Sequence, residues 1–169
     1  MTSAEISPPI DDDAAALEAL TDGDVHELAA AANAVRAEFH GDTVGYRRST
    51  EPDSAVVFAW SSEDSPATRL AALRQALATP GITAIELVRS DGGASGYGID
   101  DMTTVAWARL VTPGEIHLVA PWCAFGGKLG QVALEFGVDD LGSVKSDDDE
   151  AHLLRWVEES GREPARRDA

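Results

Sequence analysis

The chain has 169 residues, a formal net charge of −17, 44% hydrophobic and 25% charged residues, the balance of a soluble, globular, single-domain protein rather than a disordered one. Lys128 and Lys145 are the only lysines, so the clustered cations that nucleic-acid backbones and anionic membrane surfaces need are missing, and both drop out as partners. No apolar run approaches the ~18 residues of a membrane span, and the first residues lack the basic and apolar regions of a signal peptide, so a cytoplasmic location is expected.

The acidic, lysine-poor composition suits a halophilic cytoplasm, where salt screens self-repulsion; high genomic GC content is the rival explanation. Cys123 stands alone, which excludes an intramolecular disulfide, a cysteine-based zinc site and a three-cysteine iron–sulfur nest.

In chain order, residues 1–13 read as a disordered acidic leader, and 14–169 as one α/β partial-barrel domain. Thr21 is a candidate N-cap for a helix whose inner stripe is Val25, Leu28, Ala32, Val35 and Phe39, ending near Gly41. A polar stretch over 47–53 precedes the apolar run Ala55 to Trp60, expected as a strand buried on both faces. Ser65-Pro66 caps a helix carrying Leu70, Leu73 and Leu77, which stops at Pro80-Gly81. Ile82 to Val88 is a second strand, 91–98 a flexible glycine-rich loop, and Met102, Val105, Ala106 and Leu110 the stripe of the next helix. Ile116 to Ala120 is a third strand, followed by a helix with Leu129, Val132, Ala133 and Phe136 inside and Gly137 as C-cap. Val138 to Val144 is a weaker fourth strand, and Leu153, Leu154 and Val157 mark a last helix closed by Gly161. Strands alternating with helices predict a parallel sheet of right-handed βαβ units. The fold class is α/β, a parallel half (β/α) barrel of about four βα units behind an N-terminal helical segment, since a complete barrel takes ~200 residues or more.

Three segments carry a family resemblance. The helix Gly98 to Leu110 and the run Pro121 to Val144, with its Trp-Cys-Ala-Phe-Gly-Gly-Lys opening, Gln-x-Ala-Leu, Phe-Gly-x-Asp-Asp and Gly-Ser, are two. The third is the tail Leu154 to Asp168, with its Pro-x-x-Arg-Asp ending. Together they resemble the radical-SAM enzymes of menaquinone and deazaflavin biosynthesis: cyclic dehypoxanthinyl futalosine synthase, aminofutalosine synthase and the deazaflavin-forming synthase. Ala19 to Tyr46 is similar to the helix pair ahead of that family's first barrel strand. The resemblance covers both ends of a family member. The missing middle would hold the first strands and the three-cysteine cluster loop, and one thiol cannot replace three, so no iron–sulfur cluster is expected as cofactor.

The candidate ligand surface is Gly126, Gly127 and Lys128, which could hold a small anion on free backbone N–H groups and one ammonium, with Asp139 and Asp140, which could bind hydroxyls or share a proton. Against this stand a tight turn with a solvated lysine, and a turn cap beside a solvated carboxylate. Glu86 and Arg89 could line a pocket or pair with each other. Trp60, Trp107 and Trp122 could stack on a ligand but more often fill a core. Cys123 has no neighbour to activate it. His26, His40, His117 and His152 show no metal-binding spacing, so no metal and no catalytic residue is assigned. The expectation is a non-catalytic radical-SAM-like homologue, an accessory or ligand-binding protein forming a homodimer. The alternatives are a half-barrel enzyme doing acid–base chemistry on a small anionic substrate as an oligomer, and a degenerate product without selected activity.

Overall fold

The computed structural model describes residues 9–49, 55–91 and 97–167. Most of the expected leader (1–8), part of the polar stretch (50–53), most of the glycine-rich loop (92–96) and the last tail residues lie outside the described residues. Among them, seven helices and six strands follow the order α1 (Asp13–Asp22), α2 (Val25–His40), β1 (Thr43–Arg48), β2 (Val56–Trp60), α3 (Pro66–Leu77), β3 (Ala84–Arg89) and α4 (Ile99–Val111). The chain then continues with β4 (His117–Val119), α5 (Trp122–Phe125), α6 (Gly127–Glu135), β5 (Asp140–Val144), α7 (Asp147–Glu159) and β6 (Glu163–Arg166).

Local chemistry sets most of these boundaries. Asp12 Oδ1 accepts from the Ala15 N–H to start α1, and Asp24 Oδ1 accepts from His26 and Glu27 N–H to start α2, each satisfying donors that a helix start leaves orphaned. The acidic residues expected as a leader therefore include a helix cap, and Ile10 beside it is buried. Thr21 lies in the last turn of α1 and caps nothing; Asp24 takes that role. Ser65 and Ser146 cap α3 and α7 through their hydroxyls.

The sheet runs β2-β3-β4-β5-β1-β6, with every pair parallel. The α/β class and the all-parallel partial barrel stand as read; the sheet is open and has six strands rather than about four. The two added strands are β1 and β6, which extend the sheet beyond β5. The last of the four expected strands, Val138 to Val144, thus lies in the interior of the sheet as β5, paired on one side by β4 and on the other by β1. The true edges are β2 and β6, the latter carrying Pro164, which has no N–H to offer a further strand.

Because β2 to β5 step in one direction, right-handed crossovers put α3, α4 and α5–α6 on one face of the sheet. Between that layer and the strands lies the core: Phe58 and Trp60 of β2, Ile85 and Leu87 of β3, Leu118, Leu141, and Leu28, Leu73, Val105 and Trp107 from the helices. Phe58 stacks on Trp60 with ring centroids 5.5 Å apart. Trp60 donates its indole N–H to Asp101 and Trp107 donates to the Ala16 carbonyl, so both tryptophans are core residues with satisfied donors. Strand alternation turns Val57 to the opposite face, where it is 53% exposed. Phe39 and Val132, expected inside, are exposed; Phe39 covers Gly114 at the surface, and Leu134 takes the inward place on α6.

Candidate functional site

The expected anion loop lies between α5 and α6. The helix after β4 breaks at Gly126, whose φ of 78° is in the left-handed region open to glycine. A side chain at Gly127 would meet the Trp156 ring, with its Cβ 2.2 Å from Cη2. Both glycines are therefore accounted for by a turn and by packing against α7, and Lys128 is exposed. Trp122 is tied in beside them: its indole N–H reaches the Ser143 carbonyl at 3.0 Å, and its ring meets Trp156 edge-on. Cys123 is exposed on the same short helix.

Asp139 and Asp140 are both buried, but as neighbours at the entry to β5 they engage different partners. Asp140 Oδ1 accepts from the Gly142 N–H at 2.7 Å, and Oδ2 accepts from Arg167 Nε. Its register partner Gly45 has no side chain, and a Cβ there would fall 2.2 Å from Oδ2. Burial pushes the Asp140 carboxyl up, against the pull of Arg167.

Asp139 meets the helical layer. Its Oδ1 accepts from Arg109 at 2.6 Å and from the Leu118 N–H at 2.8 Å. Its Oδ2 lies 2.5 Å from His117 Nδ1 and 3.7 Å from His40 Nδ1. Burial alone would raise this carboxyl, but the hydrogen bond from His117 and the charge of Arg109 outweigh it and hold the group below the usual carboxylate range. Arg109 is fully buried; its Nε donates to the Gly137 carbonyl and its Nη1 to the Ile116 carbonyl, both at 2.9 Å. His40 donates from Nε2 to the Gly114 carbonyl, and its ring lies 4.7 Å from that of His117. Burial pulls the His40 pKa down, Asp139 opposes it, and Arg109 and His117 add to the fall.

The two aspartates therefore do not form a proton-sharing pair: each has its own arginine. The lysine loop and the aspartates also sit at different places, Lys128 beyond the C-terminal end of β4 and Asp139 before the N-terminal end of β5. The His40–His117–Asp139 cluster escapes sequence reasoning because its members are scattered along the chain and no fixed spacing signals it. A second network crowns β2 and β3, where Arg89 pairs with Asp101 at 3.0 Å and Asp91 at 2.9 Å. Glu86 and Arg89 lie on opposite faces of β3. Arg69 donates to Thr104 and Asp100 beside them. No helix among the described residues is long and apolar enough to cross a membrane.

No known family profile matches the chain. It is 31% identical over 110 residues to the 5-amino-6-(D-ribitylamino)uracil–L-tyrosine 4-hydroxyphenyl transferase of Methanothermobacter thermautotrophicus, a match taking in 56% of this chain and 26% of that enzyme. The chain thus spans about a quarter of the length of the curated relative it matches.

Proposed function

We propose that this chain is a barrel homologue of the deazaflavin-forming radical-SAM enzymes that carries no iron–sulfur cluster and serves deazaflavin biosynthesis as a non-catalytic binding or accessory protein. The donor set carries the reading. A radical-SAM cluster takes three loop thiolates and keeps its fourth iron for S-adenosylmethionine. This chain has one cysteine, exposed on α5, and residues 49–55, which join β1 to β2, include none. The residues present do not fit the cluster.

The relative's name supplies the ligand class, a ribityl-substituted pyrimidine and tyrosine. The ligand surface in this proposal is the loop Gly126, Gly127 and Lys128 beyond the C-terminal end of β4; Asp139 and Asp140, expected with it, are buried at the other end of the strands. The separate ion pairs of Asp139 and Asp140 favour this reading over acid–base catalysis, which needs a carboxyl free to exchange its proton. A homodimer belongs to the same proposal, because β2 is an open edge with Val57 exposed and a two-fold axis pairs such an edge with its copy. Light scattering at micromolar concentration is expected to give twice the chain mass; a monomer mass removes the dimer.

Calorimetric titration with 5-amino-6-(D-ribitylamino)uracil and with tyrosine, followed by chromatography of the mixture, tests the function. Saturable binding of at least one ligand without conversion is expected. Conversion would make the chain an enzyme, and no binding of either would remove the ligand-binding reading.

A further inference from the structure

His40, His117 and Asp139 each offer a donor atom, and these atoms all lie within 4.8 Å of one another. They arrive from three elements: His40 ends α2, His117 opens β4, and Asp139 immediately precedes β5. We propose that they form a binding site for a first-row divalent cation of the zinc type, held by one nitrogen of each imidazole and one carboxylate oxygen, with a fourth position left to water.

Three observations support the site. First, the outer contacts are those that orient metal ligands. A carbonyl can only accept, so Gly114 O, 2.8 Å from His40 Nε2, fixes the proton there and directs the Nδ1 lone pair to Asp139 Oδ2; this is the backbone anchoring by which ligating histidines are held. Second, Arg109 and the Leu118 N–H both bond Oδ1, which locks the carboxylate and turns Oδ2 to the two rings, where it accepts from His117 Nδ1; the cation would take the place of that proton, which leaves to solvent or moves to Nε2. Third, the exposure is graded. The side chains of Asp139 and His40 are 1% and 9% exposed while that of His117 is 36% exposed, giving the cation an entry path and the water ligand a place.

Two imidazoles and one carboxylate match the three-ligand sets of open zinc centres and suit first-row metals generally. Arg109 shares the carboxylate, so affinity stays below that of a closed four-ligand site. The cluster lies at the N-terminal ends of the strands, the end of such sheets that serves stability rather than chemistry. The cation would therefore pin α2, β4 and β5 together. The inference is independent of the function proposed above, and its test reads a different quantity.

The test uses untagged protein, isothermal titration with zinc chloride, and the variants Cys123→Ser, His40→Gln and His117→Gln. Wild type and Cys123→Ser are expected to bind one zinc per chain and to melt at higher temperature with it. Loss of an outer contact to a metal ligand lowers affinity about 10–100-fold, so losing a ligand itself should cost at least ~100-fold in either histidine variant. Circular dichroism checks that the variants stay folded; if His40→Gln does not, the more exposed His117 position carries the test. No saturable binding in wild type overturns the site. So does binding that survives both substitutions, which would assign the zinc to the acidic surface.

Discussion

Arg109 and Asp139 form the buried ion pair on which the centre of the molecule turns. The guanidinium, with no exposed surface, ties α4 to the Gly137 and Ile116 carbonyls and to Asp139, while Asp139 holds the β4 backbone through the Leu118 N–H. Removing one partner of such a pair strands the other charge and destabilises by about 3–5 kcal/mol, whereas replacing both with apolar groups can be nearly neutral. Arg109→Met should therefore lower the urea unfolding free energy by about that amount, and adding Asp139→Leu should recover part of it. A loss under ~1 kcal/mol for the single variant would contradict the pairing. The sequence singled out Asp139 and Asp140 through their place at a strand end. It could not say that each would meet its own arginine, because Arg109 and Arg167 reach them only through the packing of α4 and the pairing of β6.

Helices were legible where their ends carry side-chain chemistry: Ser65-Pro66 opens α3 as read, and the stripes of α2 and α4 fall largely where their three- and four-residue spacings put them. The strands β1 and β6 were not. Thr43 to Arg48 alternates weakly and ends in two arginines, and Glu163 to Arg166 is short, charged and contains a proline, so neither looks like a strand until β5 and β1 offer themselves as partners. A short helix, α5, precedes the one expected after β4; the positive φ of Gly126 separates the two, and the ring of Trp156, which packs against Gly127, arrives from α7. That packing is testable. Gly127→Ala would place its Cβ against a ring already held by Trp122, and overpacking of this kind costs about 1–3 kcal/mol. Lys128→Ala, at an exposed position, should stay within about 0.5 kcal/mol of wild type in the same denaturant titration. Equal effects would mean that Lys128 is held by something more than solvent.

At the scale of the whole molecule, the net charge of −17 makes the fold work against its own repulsion. The Debye length falls from ~30 Å at 0.01 M salt to ~3 Å at 1 M. Surface ion pairs such as Arg155–Glu159 weaken over the same range, but each is worth little. The melting temperature should therefore rise from dilute buffer to molar potassium chloride; a flat or falling curve would remove the halophilic reading. The parallel sheet follows from alternating strands and helices. The strand order puts β1 beside β5, so strands from the two ends of the chain are neighbours in one sheet, and the proposal is that the cluster loop of the resembled enzymes is absent. Radical chemistry has, on this proposal, gone with that loop. The direct measurement is anaerobic reconstitution with iron and sulfide, followed by iron analysis, visible absorption and an assay for S-adenosylmethionine cleavage. On that proposal no four-iron complement with matching sulfide, no cluster absorption and no cleavage are expected. A stable four-iron spectrum with stoichiometric iron, or any cleavage that depends on it, would contradict it.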